Sequence, residues 1–184
     1  MHRFPAVVSL ATALVLGVST GGSLAVNAQD ATPSTDGPAA AGAVIYGTDG
    51  QVMGVAILRA FPDGGSTIGI TALGLEPGEH GVHVHETGAC DPEGEKAFTS
   101  AGGHYNPSGA EHGEHAGDLG NITIAADGLA TLEVDAEMVT LSELLDADGA
   151  AIVIHANPDL NDPEGKSFGA RVACGMLTTA APAA

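Results

Sequence analysis

Residues 43–85 read AVIYGTDGQVMGVAILRAFPDGGSTIGITALGLEPGEHGVHVH and contain four short runs rich in Val, Ile, Leu and Thr. The runs cover residues 43–46, 51–61, 66–75 and 81–85. Clusters of Gly, Asp and Pro separate them, at residues 48–50, 62–65 and 76–78. Because β-branched runs bounded by such residues are typical of strands joined by tight turns, this stretch predicts four consecutive strands.

The same pattern continues through the rest of the chain, with runs at residues 120–125, 129–135, 150–155 and 170–177. One short helical turn is predicted at Thr140-Leu141-Ser142-Glu143, which has the pattern of a capping box. A chain of 184 residues has room for one domain with a real core. Eight evenly spaced strands predict an all-β fold, an eight-stranded antiparallel Greek-key sandwich or barrel.

Two segments interrupt the strands, residues 86–118 and residues 156–169. The first is rich in Gly, His, Asp and Glu, and the second is polar and has no strand pattern. Long irregular loops on a β scaffold are where functional residues concentrate. We therefore expect two long functional loops.

The first 28 residues predict an exported protein. Residues 1–28 combine a short basic start, a short apolar run and small residues that end with Val26-Asn27-Ala28, which is typical of a signal peptide. Residues 29–41 predict a disordered linker, residues 42–178 the folded domain and residues 179–184 a tail.

Outside the cytoplasm the two cysteines, Cys90 and Cys174, most simply form a disulfide, which in the chain-entropy model stabilises the folded protein by roughly 4–5 kcal/mol.

The charge balance restricts the possible partners. The chain has 23 acidic residues against 5 Lys and Arg, a formal net charge of −18. Such a chain is repelled by nucleic acid and by anionic lipid. The apolar run near the start is too short for a lasting membrane helix. We therefore expect neither a nucleic-acid partner nor a membrane span in the mature protein.

Seven of the eight histidines follow the predicted signal peptide, and six of them lie beside the two long loops. His83 and His85 are two positions apart on a predicted strand, so both rings lie on one face. The set His104, His112, His115 and Asp118 matches a closed four-coordinate zinc site. His155 adds a third nitrogen to His83 and His85, which suits copper. Two four-ligand sites need eight ligands, and His104 shared between both ions completes the count. Each histidine taken alone is also compatible with an ordinary surface or core role.

Arg171 is one of few cations in the chain and lies three residues before Cys174. Its fixed charge and planar donors fit the docking of an anion. An ordinary surface ion pair explains it equally well from its sequence position.

Five segments in order along the chain carry a resemblance to a known family. They are GEHGVHVHETGAC (78–90), SAGGHYNP (100–107), HGEHAGDLGN (112–121), AIVIHANPD (151–159) and GARVACGM (169–176). The chain from about residue 43 to residue 177 resembles the bacterial exported copper/zinc superoxide dismutases. The resemblance implies that superoxide is converted to oxygen and hydrogen peroxide by alternating reduction and oxidation of a copper ion bridged to a structural zinc.

The resemblance also assigns the site residues. It implies four copper ligands, His83, His85, His104 and His155. It implies four zinc ligands, His104, His112, His115 and Asp118, with His104 as the bridge. Arg171 and His104 are the implied catalytic residues. Asp159 is implied to link the outer nitrogens of His83 and His112, and the Cys90–Cys174 disulfide to tie the first long loop to the last strand.

The family pattern is incomplete at a few positions. The last loop carries one lysine, Lys166, so the lysine steering pattern of the family is only partly present. His80 matches no ligand and is predicted to be a surface residue. Monomer and homodimer both stay open, as do periplasm and extracellular medium. The alternative function is a non-catalytic extracytoplasmic protein that binds copper and zinc, and the presence of Arg171 argues against it.

Overall fold

A computed structural model describes residues 39–179, in nine strands and one short α-helix. The predicted signal peptide, the predicted linker up to residue 38 and the tail from residue 180 lie outside the described residues. The strands are β1 (Ala40–Gly47), β2 (Val52–Ala60), β3 (Ser66–Leu73), β4 (Gly78–His85), β5 (Asp118–Ile124), β6 (Leu129–Ala136), β7 (Ala151–His155), β8 (Arg171–Met176) and β9 (Thr178–Thr179).

The eight predicted strands are confirmed and form a nearly closed antiparallel barrel. The strand order is β5-β4-β7-β8-β1-β2-β3-β6, and β5 packs beside β6 where the sheet closes. Tight turns join β1 to β2 and β2 to β3, and the two long loops join the neighbouring strands β4 and β5 and the neighbouring strands β7 and β8. The β3–β4 and β6–β7 connections run between strands that are not neighbours. This is the Greek-key arrangement that the sequence predicts.

Alternating apolar residues fill the barrel. Leu58 on β2 and Ile68 and Ile70 on β3 point inward and are fully buried, while their neighbours along each strand face outward. The β4 and β7 strands differ, because every residue from His80 to His85 and from Ala151 to His155 is buried. Both faces of these two strands are therefore covered, one by the barrel core and the other by the long loops.

The disulfide between Cys90 and Cys174 is confirmed, with the two Cα atoms 5.6 Å apart. Beside it a second apolar cluster, separate from the barrel core, contains Phe98 of the first long loop and Val153 of β7. The first long loop thus lies against the outer face of β7 and β8. The disulfide and this cluster fix the position of the first long loop. The loop in turn carries backbone groups that contact side chains of the candidate site.

Strand pairing includes residues on both sides of the predicted domain boundaries at residues 42 and 178. The β1 strand begins at Ala40, before the boundary predicted at residue 42, and Ala41 is fully buried. The short β9 strand pairs Thr179 with Ala41 and Thr178 with Gly42. The two boundary segments therefore pair with each other. Residue 41 of the predicted linker and residue 179 of the predicted tail take part in this pairing, because a strand of two residues is too short to leave a pattern in the sequence.

The predicted helical turn is present as α1 (Leu141–Leu144). Its capping differs from the predicted box, because the Thr140 hydroxyl donates to the Glu143 carboxylate and does not accept a hydrogen bond from a backbone N–H of the first turn. The same carboxylate accepts a hydrogen bond from Tyr105 at 3.0 Å. Burial together with Glu143 raises the pKa of Tyr105 to about 12. This contact joins the first long loop to α1.

In the described part of the chain, no helix has the length and apolar character needed to cross a bilayer.

Candidate metal centre

Two neighbouring strands position three histidines on the outer side of the barrel. His83 and His85 alternate along β4 with Val82 and Val84, which lie in the barrel core. His155 ends β7 at an irregularity in its pairing with β8. The long loops cover this side, so all three imidazoles are at most 1% exposed. The predicted common face for His83 and His85 is correct, but that face is buried.

Hydrogen bonds determine which ring nitrogen of each of these histidines is unprotonated. His83 Nε2 lies 2.7 Å from Asp159 Oδ2, and His85 Nδ1 lies 3.1 Å from the Gly102 carbonyl oxygen. His155 Nδ1 lies 3.4 Å from the Gly169 carbonyl oxygen. Carbonyl and carboxylate oxygens only accept, so these nitrogens carry the protons and the opposite nitrogens keep their lone pairs.

The unprotonated nitrogens are buried and have no protein partner. They are His83 Nδ1, His85 Nε2 and His155 Nε2. A buried polar atom without a partner is costly, so a native structure with three of them needs a group that satisfies them. Together with a nitrogen of His104 they form a set whose ligand atoms all lie within 4.8 Å of one another. Four imidazole nitrogens fit copper.

A second set of possible ligands comes from the first long loop and the start of β5. It contains His104, His112, His115 and Asp118, and its ligand atoms also lie within 4.8 Å of one another. His104 Nδ1 lies 2.7 Å from Asp118 Oδ1 and 3.4 Å from His115 Nδ1. Three imidazoles and one carboxylate with no vacant position fit a structural zinc ion.

His104 belongs to both sets. Its Nδ1 faces Asp118 and His115, which leaves Nε2 as the atom for the set with His83. The rings of His83 and His104 are only 3.9 Å apart between centroids. The structure thus brings together all seven residues that the sequence predicts, around one shared imidazole.

Asp159 connects the two ligand sets because its carboxylate contacts one histidine of each set. Its Oδ2 contacts His83 Nε2 at 2.7 Å, and its Oδ1 contacts His112 Nε2 at 3.0 Å. Asn121 holds the Asp159 backbone through two hydrogen bonds, of 2.9 Å from the amide and 2.7 Å to the side-chain oxygen. Such bonds fix the tautomer and orientation of metal-binding imidazoles.

The protonation states suit cation binding. Burial lowers the pKa of His83 to about 4 and that of His155 to about 3, and burial together with Arg171 lowers the pKa of His85 to about 2. Burial opposes ionisation of Asp118, but its contact with His104 and the backbone N–H groups of Gly113 and His115 outweigh that effect and lower its pKa. At neutral pH the three imidazoles are therefore neutral and Asp118 is charged, as metal ligands must be.

We expect the metal-free protein to lose stability as the pH falls from 7 to 4.5. Above pH 6.5 His83, His85 and His155 are neutral both in the folded and in the unfolded chain. Below pH 6.5 the unfolded chain takes up protons that the folded chain excludes, so each histidine lowers the free energy of unfolding by up to about 1.4 kcal/mol per pH unit. Thermal unfolding of the metal-free protein across this range measures the effect, and a melting temperature independent of pH contradicts the buried neutral assignment.

Arg171 lies beside the first ligand set and is held in place by the first long loop. Its Nη1 donates to the Phe98 carbonyl oxygen and its Nη2 to the Gly102 carbonyl oxygen, each at 2.6 Å. Gly102 also accepts from His85, so one carbonyl group contacts both side chains. Arg171 and His155 line the same cavity, of about 610 Å³. An anion in this cavity can reach a guanidinium and a candidate copper ligand together.

The two lysines near the site differ in position. Lys96 lines the cavity with Arg171, although nothing in its sequence context predicts this position. Lys166 is exposed and forms an ion pair of 2.6 Å with Glu164. The negative charge of Glu164 therefore offsets most of the positive charge of Lys166. Lys96 is the lysine placed to act on an anion in the cavity.

His80 is buried, so the prediction of a surface residue is wrong. Its side chain is on β4, and its Nδ1 lies 2.7 Å from the His155 carbonyl oxygen. Its Nε2 lies 2.9 Å from the Glu76 carbonyl oxygen. His80 thus links the backbone of a candidate ligand to the turn before β4. Contacts to backbone carbonyl groups have no signature in sequence spacing, and the same holds for Asn121.

Replacing Asp159 by asparagine is expected to weaken zinc binding by between about 10 and 100-fold. Asparagine keeps the shape but has one acceptor oxygen, while His83 and His112 each need one. Competition with a chelator of known affinity measures the change. Glu164→Gln, an exposed change in the same loop, is the matched control. Equal zinc affinity of Asp159→Asn and the control would contradict the linking role.

The chain is similar to known proteins over the segment that carries this centre. The family model for copper/zinc superoxide dismutase (SODC) matches residues 52–177, which include both ligand sets. A Cu-Zn superoxide dismutase of Caulobacter vibrioides is 41% identical over 150 residues, covering 73% of this chain and 83% of that protein.

Solved structures are similar as well. A SOD-like protein from Bacillus subtilis has 36% sequence identity and a TM-score of 0.66, with 74% of this chain and 97% of that chain covered. The Cu/Zn superoxide dismutase from Brucella abortus has 29% identity and a TM-score of 0.63, with 74% and 98% covered. The barrel and its loops therefore have solved counterparts in bacteria.

Proposed function

The chain belongs to the copper/zinc superoxide dismutase family, and from that premise we propose that it converts superoxide to oxygen and hydrogen peroxide. In this proposal His83, His85, His104 and His155 hold copper. His104, His112, His115 and Asp118 hold zinc. The partnerless buried nitrogens of the first set and the closed composition of the second support the two assignments.

When bound, copper supplies the one-electron oxidation and reduction that the conversion of two superoxide anions requires, and zinc supplies a fixed positive charge. The protein supplies the geometry. Asp159 keeps the His83 and His112 rings in one tautomer, and the carbonyl oxygens of Gly102 and Gly169 do the same for His85 and His155.

Arg171 binds the anion in this mechanism. Two of its donors are engaged by the Phe98 and Gly102 carbonyl oxygens, which fixes the plane of the guanidinium. Its remaining N–H groups donate to no other residue in the described part of the chain and can bind a small oxyanion in the cavity. Formation of hydrogen peroxide also needs protons. Because His104 Nδ1 faces the second ligand set, its Nε2 is the atom that could take up and release a proton whenever it does not hold copper.

Local charge outweighs the net charge of the protein near the cavity. The formal net charge of −18 repels an anion at long range. At ~0.15 M ionic strength the Debye length is about 8 Å, so distant carboxylates are largely screened. Arg171, Lys96 and Glu95, which all line the cavity, together with the two metal ions, then determine the potential that superoxide meets.

The observation that carries the proposal is the shared cavity of Arg171 and His155, because a protein that only stores metal has no need of an anion site there. The test is superoxide decay after pulse radiolysis, measured with the protein loaded with both metals and with zinc alone. We expect catalysed decay only with both metals. Decay as slow as in buffer, in a protein that holds both ions, would instead favour the non-catalytic metal-binding function.

We also propose that the protein acts outside the cytoplasm. The Cys90–Cys174 disulfide supports this location, because disulfides persist in oxidising compartments. The signal-peptide pattern of residues 1–28 supports it independently. Mass spectrometry of protein recovered outside the cytoplasm should find a chain that starts after residue 28. Recovery of the full-length chain from the cytoplasm alone would contradict the proposal.

A further inference from the structure

Phe168, in the second long loop, packs against histidines of both ligand sets. Its ring centroid lies 4.4 Å from that of His155 and 4.9 Å from that of His83, both at steep interplanar angles. It lies 5.2 Å from His104 and 5.4 Å from His112. The chain contains only 4 Phe, 2 Tyr and no Trp, so few aromatic residues were available to occupy this position by chance.

The loop holds this ring in a defined place. The Phe168 carbonyl oxygen accepts a hydrogen bond of 3.0 Å from the Asn157 N–H, and the Asp162 carboxylate accepts one of 2.7 Å from the Ser167 N–H. On β4, a Cβ at Gly81 would lie 3.2 Å from the Phe168 Cβ, tighter than ordinary contact. Glycine at position 81 therefore lets the loop settle closely over β4.

The same ring lines the cavity that contains Arg171 and His155. A volume of about 610 Å³ admits molecules far larger than a two-atom anion. Cavity volume therefore does not select a small substrate. His155 is 1% exposed, so access to it is limited at the inner end of the cavity, where the Phe168 ring covers it.

We propose that Phe168 is a specificity-determining residue, which limits access to the first ligand set to anions of two or three atoms. A small anion passes the ring and still reaches the Arg171 guanidinium. A larger polar anion must press its hydrated groups against a hydrocarbon surface that offers no hydrogen bond, which costs free energy. The inference rests on the proposed copper site but does not depend on the rate of dismutation.

Two probes of different size test this role in the copper- and zinc-loaded protein. Azide, a three-atom anion, is titrated against the Cu(II) absorbance. Ascorbate, a ring-sized anion, reduces Cu(II) by one electron and bleaches the same band. In Phe168→Ala we expect bleaching by ascorbate to accelerate by about tenfold or more, equivalent to about 1.4 kcal/mol in the barrier, with little change in azide affinity.

Two variants separate size selection from a general loosening of the loop. Phe168→Leu keeps apolar bulk and should stay close to the wild-type bleaching rate. Leu160→Ala removes a 71% exposed apolar side chain from the same loop and should change neither probe. Equal gains for azide and ascorbate in Phe168→Ala would overturn the proposal, as would an unchanged ascorbate rate.

Metal content distinguishes this inference from the proposed function. If the wild-type protein holds no copper, both fail. If it holds copper and Phe168→Ala behaves like wild type toward ascorbate, only the role of Phe168 fails.

Discussion

We expect His104→Ala to abolish the proposed catalysis of superoxide decay and to weaken binding of both metals at once. The reason is that His104 is the one residue common to the two ligand sets, with Nδ1 facing Asp118 and His115 and Nε2 left for the other set. Outer-sphere changes already cost up to about 100-fold in metal affinity, so loss of a shared ligand should cost more for each ion. Chelator competition for copper and for zinc, with superoxide decay on the same samples, measures it.

Single-set variants are the controls for this result. His85→Ala removes a ligand of the first set only and should weaken copper binding while zinc stays bound. His115→Ala removes a ligand of the second set only and should release zinc preferentially. If His104→Ala weakens binding of only one metal, as we expect of the single-set variants, the assignment of His104 as a ligand of both ions is wrong.

We expect Arg171→Glu to lower the second-order rate of superoxide decay by about 10 to 100-fold, with copper and zinc content unchanged, because an attractive charge becomes a repulsive one beside the anion. The effect should shrink as ionic strength rises, since the interaction is electrostatic. Arg171→Lys should fall in between, because it keeps the charge but loses the planar fork held by Phe98 and Gly102.

Arg59→Glu is the matched control for the charge reversal. Arg59 lies on the outward side of β2 and does not line the cavity of Arg171. The substitution changes the net charge by the same amount as Arg171→Glu. Equal loss of rate in the two variants would show that total charge, and not docking at Arg171, controls the reaction.

Much of the fold follows from the local pattern. Strand runs and turn residues predict all eight barrel strands, since each strand from β1 to β3 alternates and each turn contains Gly, Asp or Pro. The pairing of Ala41 with Thr179 is not predictable from the local pattern, because β9 is only two residues long and its partner lies at the other end of the domain. Non-local pairing of short segments leaves little trace in the local sequence.

The candidate site was predictable for a different reason. His83 and His85 occupy one face because a strand has a period of two, and the remaining ligand types follow from counting donors for two ions. The positions of His80, Asn121 and Phe168 did not follow. Their partners are backbone carbonyl oxygens, an aspartate backbone and imidazole rings that are distant in sequence, and only the folded chain brings these together.

Native mass spectrometry of the metal-free protein, titrated with copper and zinc together, tests the central claim most directly. Seven side chains should hold two different ions around one shared imidazole, so the account predicts saturation at one copper and one zinc per chain. A chain that saturates with a single ion, however tightly bound, would contradict it.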